Sequence, residues 1–304
     1  RSAGKIKRAR RAWGVARVHG RCGVIAPEDL GAYAHTPTRT GSRGAMYFLT
    51  SRPGWVLILL LFVFTAFAMV GPFIVRQRIR LAHLRGNNEV AGFKFAVIGV
   101  LYAVLLAFVV IISWERFYDA ERALAREAGA AATVFRLCGG LDETTAATIR
   151  TNLAAYLRSV LADDWPAMAR GRSSAATTRM LSDLYEVLVH YRPADLHDSD
   201  LQKDLLTELD DLTRARRERL VMGEGTVPKV IWFVIFLGAA LTISFTFFFG
   251  TENLIAQSLM TGTLAAIILS AVVVVIALDR PYTGAITVSK EPIRAVLEDF
   301  RTAP

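Results

Sequence analysis

Few side chains in this sequence stand where they could do chemistry. Asp163-Asp164-Trp165 places two adjacent carboxylates beside an indole, the makings of an acid/base pair or a metal site. The plainer account of the same residues is an acidic helix end with a packed tryptophan. His19, His35, His83, His190 and His197 are scattered, and the seven-residue gap between the last two matches no common metal-ligand spacing. Cys22 and Cys138 are too few for a disulfide scaffold or a four-cysteine zinc site. The phosphate-cradling P-loop, the dinucleotide-binding glycine pattern, the H-E-x-x-H zinc motif and the G-x-S-x-G nucleophile elbow are all missing. The sequence therefore offers no catalytic residue, no metal ligand and no cofactor site, and an enzyme is not expected.

What the sequence offers instead is apolar length. Of 304 residues, 53% are hydrophobic, above the 45–50% usual for soluble globular chains, which also excludes disorder of the whole. Four runs carry no charged residue: Pro53–Val75, Phe95–Trp114, Val230–Thr251 and Asn253–Leu278, of 23, 20, 22 and 26 residues. A helix needs about 20 apolar residues to cross a hydrocarbon core about 30 Å thick. Buried helices of soluble proteins are rarely apolar on every face for that length. The first run exceeds the h-region of a signal peptide and is followed by Arg76, Arg78 and Arg80. Trp55 and Trp114 stand at run ends, where interfacial aromatics belong. Pro228 suits the first turn of the third membrane helix.

Between the second and third runs, residues 115–229 repeat apolar side chains at helical spacing. Leu124, Ala128, Ala131 and Phe135 form one set; Ile149, Leu153, Tyr156, Leu157, Val160 and Leu161 form a second. Met180, Leu181, Leu184, Val187, Leu188 and Tyr191 form a third, and Leu201, Leu205, Leu209, Leu212 and Leu220 a fourth. Breaks fall at Gly139–Gly140, Pro166–Gly171 and Pro193, and Ser199 with Gln202 offers a capping box. No Gly or Pro lies between Gly99 and Gly129, so the first of these helices is expected to continue the second membrane helix. The charge runs Asp210–Asp211 and Arg214–Arg219 are expected to be solvated faces.

The fold expected is thus an all-α membrane protein: four transmembrane helices, with a helical extramembrane domain inserted between the second and third. Its parts are a disordered basic tail at 1–52, membrane helices 1 and 2 within 53–114, the helical domain at 115–229, a membrane hairpin at 230–278 and a C-terminal tail at 279–304. Four crossings put both termini and the helical domain on one side. Basic residues near the helix ends are more numerous on that side than in the loop holding Arg76, Arg78, Arg80 and Arg85, which favours a cytoplasmic placement.

The spans hold no Asp, Glu, Arg, Lys or His, which argues against proton coupling. On the second helix, Gly92, Phe95, Gly99, Tyr102, Leu106, Val109 and Ser113 fall within an arc of about 100°. Such a stripe serves either close helix–helix contact, since glycine lets backbones approach, or a pore wall. The third helix aligns Gly238, Thr242, Thr246 and Phe249, and the fourth spaces Ser258, Gly262, Ala266 and Ser270 four apart. Packing within the bundle is expected for both, with Gln257 alternatively available to an ion.

The stretch Asn87-Asn88-Glu89-Val90-Ala91-Gly92-Phe93, continuing from Ala96 through Gly99 and Tyr102 to Phe108, resembles the bacterial bestrophin-like domain family. Trp114-Glu115, Glu127-Ala128 and Pro281-Tyr282-Thr283-Gly284 fit it as well. Bestrophins are homopentameric anion channels with four membrane helices per subunit and a helical cytosolic part, the second helix lining the pore. The resemblance implies a homo-oligomer, a pentamer, in a bilayer of the bacterial inner membrane, passing small anions. It implies a pore lined by Phe95, Gly99, Tyr102 and Leu106, with Arg76, Arg78, Arg80 and Arg85 as a basic ring at one mouth. An acidic cluster like the calcium clasp of animal bestrophins is lacking, so calcium gating is not implied. The competing reading is a membrane-anchored interaction or sensor module that conducts nothing.

The formal charge of +9 would suit a nucleic-acid partner. Residues 1–45 hold ten basic and two acidic side chains, so nearly all the excess lies there. No nucleic-acid partner is expected. The tail, which begins at Arg1 with Met46 just ahead of the first membrane helix, is expected to be disordered, an upstream extension or a binder of anionic lipid.

Overall fold

A computed structural model describes residues 54–302 except Glu224, Thr226 and Ala285. The basic tail, 1–52, lies outside the described residues. The described residues form helices and no strand: α1 (Gly54–Arg78), α2 (Leu81–Gly86), α3 (Asn88–Leu137), α4 (Glu143–Ser159), α5 (Trp165–Ala169), α6 (Ala175–His190), α7 (Leu196–Met222), α8 (Lys229–Thr246), α9 (Leu254–Leu278) and α10 (Glu291–Thr302).

Four of these, α1, α3, α8 and α9, are long and apolar enough to cross a membrane. Each presents large apolar side chains outward, among them Phe62, Phe67, Val100, Phe108, Phe233 and Ile267. Such a surface suits contact with lipid or with further copies of the chain. The inner sides interlock through small residues. Ser258 Oγ on α9 donates to the Met69 carbonyl of α1 at 2.7 Å. A Cβ on Gly262 would stand 2.7 Å from Met69, and one on Gly71 would enter the Phe247 ring. The α9 ridge therefore closes the bundle at Ser258 and Gly262, while Ser270 is exposed and bonds its own helix. Pro72 does not end α1, which runs six residues further to Arg78.

The second membrane helix and the first helix of the soluble part are one element, α3, of 50 residues. At 1.5 Å per residue it is about 75 Å long. Helices α7 and α10 pack along its outer half and α8 and α9 along its membrane half. The core of the outer part is built from the periodic sets: Leu124, Ile149, Leu153, Tyr156, Leu157, Leu184, Leu188, Leu205, Leu209 and Leu212 are all buried. Asp142, Ser174 and Asp195 cap α4, α6 and α7 by accepting backbone N–H bonds from Thr145, Thr177 and Asp198.

Four expectations need correction. Ser199 and Gln202 do not cap α7, which starts a turn earlier under Asp195. The Gln202 amide instead donates to the Leu188 and Tyr191 carbonyls at 2.7 and 3.2 Å, closing the end of α6. The run Arg214–Arg219 is not a solvated face throughout, for Arg216 and Arg219 are buried. Asp164 is buried as well, in a wide π-type turn (Val160–Asp164) between α4 and α5 rather than at an acidic helix end, while Trp165, which opens α5, is packed as expected, edge-on to Tyr282 at 5.4 Å. Residues 279–304 are not simply a tail. Ile293 and Val296 recur on one side of α10 and are buried, and Phe300 stacks on Phe135 of α3 at 3.9 Å between ring centres.

Candidate functional site

The membrane half of α3 carries the pore candidates. Tyr102 and Leu106 are buried within the subunit. The Tyr102 hydroxyl donates to the Ile235 carbonyl of α8 at 2.9 Å. Its ring rests on Gly238, where a Cβ would approach to 2.4 Å. Phe95 is half-buried in an aromatic cluster, stacked on Phe245 at 5.8 Å and edge-on to Phe249 at 5.7 Å. Gly99 borders a groove of about 490 Å³ between α3, α8 and α9, which Tyr102, Leu106, Thr242 and Ile268 also line. Within one subunit Phe95, Tyr102 and Leu106 make helix–helix contacts, whereas a Cβ on Gly99 would meet nothing within 4 Å. The opposite face of α3 is free: Phe93, Val97, Val100, Val104, Phe108 and Ile111 are exposed.

The four arginines gather at the end of the bundle where α1, α2 and the α8–α9 turn meet. They do not share one fate. Arg76 donates to the Thr251 carbonyl at 3.2 Å. Arg85 pairs with Glu252 across an exposed contact, and the pair holds the Glu252 carboxyl below its ordinary range. Arg78 and Arg80 are exposed, with no ion pair or side-chain hydrogen bond among the described residues. The same corner is locked by Asn88, whose amide gives and takes bonds with the Gly250 backbone, both at 2.8 Å. Gly250 is needed here, because a Cβ would come within 2.7 Å of the Arg85 backbone nitrogen. Gln257 is committed to protein rather than to an ion: its amide donates to the Phe249 carbonyl at 2.6 Å and its oxygen accepts from Thr251 at 3.1 Å.

A second polar centre lies in the helical part; the sequence marked Asp164 and Glu127 separately but not their grouping with Arg216 and Arg219. Arg219 of α7 pairs with Glu127 of α3 and with Asp164, its Nη2 lying 3.0 and 3.1 Å from their carboxylates. Arg216 pairs with Asp164 through two bonds, at 3.0 and 3.2 Å. Tyr156 donates to Glu127 at 2.6 Å, and the Ser174 N–H donates to Asp164 at 2.8 Å. Two arginines and two carboxylates cancel, and all are buried. Burial opposes ionisation of Asp164, but the Arg216 bonds and both guanidinium charges outweigh it and hold its carboxyl below the ordinary range. Burial, aided by the Glu127 charge, pushes the Tyr156 hydroxyl well above its usual value. Asp163 lies outside this centre and bonds Ser159 at 2.8 Å. No group of three His, Cys, Asp or Glu gathers among the described residues.

Four apolar spans whose uncharged runs hold no Asp, Glu, Lys, Arg or His, carrying a helical part on an unbroken second span, define an integral membrane protein of bestrophin-like architecture. The sequence matches the Bestrophin-like domain over residues 62–293, and the chain belongs to that family. No curated protein matches it. Its fold is similar to a bacterial Bestrophin homolog from Klebsiella pneumoniae solved by Zn-SAD phasing, at 15% identity and a TM-score of 0.59, covering 80% of this chain and 95% of that one. An isoleucine-to-threonine variant of the Klebsiella pneumoniae homolog gives 16% identity and a TM-score of 0.64, covering 81% and 99%. A leucine-to-threonine variant gives 16% and 0.61 over the same shares.

Proposed function

We propose that this protein is a bestrophin-type anion channel, assembled from several copies of the chain in the bacterial inner membrane with α3 lining the pore. The resemblance to bestrophins is what supports a count of five copies. The observation that carries the reading is the Bestrophin-like match over residues 62–293 on a chain whose spans hold no acidic side chain. A pore without an acidic ring has nothing to concentrate cations. Arg78 and Arg80 supply positive charge at one mouth, while Arg76 and Arg85 are tied to the hairpin turn. The helical part is placed in the cytoplasm and the arginine corner outside.

The wall of a pore between subunits must be a surface that each subunit's own packing leaves free. Tyr102 and Leu106 do not meet that condition, and Phe95 is half-covered by Phe245 and Phe249. We assign the wall to the free stripe of α3, with Val97, Val104 and Phe108 as an apolar constriction of the kind that gates by dewetting. Purified protein in liposomes is expected to pass chloride under a voltage. No flux at any voltage or pH, together with a monomeric mass, would overturn the channel reading in favour of a membrane-anchored interaction module.

A further inference from the structure

The helical part holds a pocket that conduction does not use. It is about 380 Å³ in volume and lies between α4, α10 and the end of α3, lined by Phe135, Arg150, Arg158, Leu297, Phe300 and Arg301. Three arginines line it and no carboxylate does, although Glu298 and Asp299 stand on the same helix as Arg301. None of the three forms an ion pair among the described residues. This stands against its background, since residues 115–229 carry 16 basic and 19 acidic side chains. Arg150 is held in place: its guanidinium lies over the Phe135 ring at 5.3 Å and against the Cys138 thiol. Its Nε–H is buried without an acceptor, an uncommon state for a charged donor.

We propose that this pocket binds a soluble compound carrying two or three linked phosphates. Arg150 and Arg158 stand eight residues apart on α4, so their Cα atoms are about 12 Å apart. Each arginine can take a separate phosphate of a linked chain, so such a chain gathers more guanidinium contacts than a single phosphate does. Planar guanidinium forks suit phosphate oxygens, and the Phe135 and Phe300 rings give the pocket an apolar floor. Position favours a soluble ligand over a lipid headgroup. Phe135 lies 21 residues beyond Trp114 on the unbroken α3, about 31 Å along the helix. The headgroup layer extends only about 5–8 Å beyond the hydrocarbon.

The test is calorimetric titration of the full chain in detergent with tripolyphosphate. Saturable binding is expected, weaker for orthophosphate. The double variant R158Q/R301Q changes two exposed residues and is expected to weaken binding about tenfold or more. Each single variant should give about a threefold loss, which keeps the test usable should the double variant unfold. The variant R170Q/R172Q removes the same charge elsewhere and should leave the affinity unchanged. No binding, equal loss in both double variants, or no loss in R158Q/R301Q would each overturn the proposal. So would flotation with vesicles containing phosphatidic acid that R158Q/R301Q abolishes, since that outcome assigns the pocket to a lipid. None of these readings depends on whether the protein conducts.

Discussion

Tyr102 and Gly238 form a socket at the centre of the membrane bundle: the phenol ring lies on the bare glycine backbone, and its hydroxyl reaches back to Ile235 one turn earlier. The glycine is what allows α3 and α8 to approach. Gly238→Ala is expected to destabilise the bundle by about 1–3 kcal/mol, because a methyl must displace a ring that is fixed at both ends. Tyr102→Phe removes only the hydrogen bond and should cost about 0.6 kcal/mol, the average for such bonds in membranes. Thermal unfolding in detergent separates the two.

Cysteine labelling tests which face of α3 meets water. Val97→Cys and Val104→Cys should react with a charged thiol reagent in the assembled protein and block flux, whereas Leu106→Cys should not. The reverse pattern would return the pore wall to Phe95, Gly99, Tyr102 and Leu106. The native Cys138 is buried and should label slowly in every variant.

The Glu127–Arg219–Asp164–Arg216 network should respond sharply to the loss of one member. Arg219→Met leaves the buried Glu127 carboxylate without its guanidinium partner and is expected to cost about 3–5 kcal/mol. The surface pair offers the contrast. Arg85→Ala removes an exposed contact with Glu252 and should change stability by less than about 1 kcal/mol. Chemical unfolding monitored by circular dichroism measures both.

The same network sets limits in pH. The folded-state pKa of Asp164 is depressed, so its contribution is complete above the unfolded value of about 3.9 and is lost as pH falls through the lower folded value. Tyr156 is shifted upward, so its contribution is complete below about 10 and is lost as pH rises beyond that. Unfolding midpoints should therefore be flat from about pH 5 to 9, and fall in acid and in strong alkali. Asp164→Asn should flatten the acid limb.

Asn88 is expected to matter more than its place at the start of α3 suggests. It satisfies both polar groups of the Gly250 peptide, so Asn88→Ala leaves a donor and an acceptor unpaired beside the membrane. A cost of about 1–3 kcal/mol is expected, with Asn88→Asp retaining the bond to the Gly250 N–H. Thermal unfolding of the two variants side by side checks it.

The sequence carried the membrane spans clearly because each signal is local: twenty or more residues without a charge need no partner to be recognised. The continuity of α3 was legible for the same reason, from the want of glycine and proline between Gly99 and Gly129. The stripe through Phe95, Gly99, Tyr102 and Leu106 was visible as a face, but spacing alone cannot say what that face meets. Only the placement of Gly238 opposite Tyr102 does so. The ion network was hidden because its bonded partners are 52 to 92 residues apart in sequence. Arg216 and Arg219 sit in a charge run whose exposed members, Arg214 and Arg217, are of the same type. α10 was missed because its apolar side is brief, at Ile293, Val296, Leu297 and Phe300, and lies beyond the last membrane run.

Helix α3 has a mechanical consequence. It is a single beam about 75 Å long, clamped about 15 Å from its outer end where Glu127 meets Arg219, with no hinge between the membrane and Phe135. A beam held off-centre turns a small push at its short arm into a larger, opposite swing at its long arm. A tilt of about 2° moves the near tip by about 0.5 Å and the far tip by about 2 Å, the latter within the range of helix shifts by which other proteins switch. Whatever settles against Phe135 therefore leans on Phe95 as well.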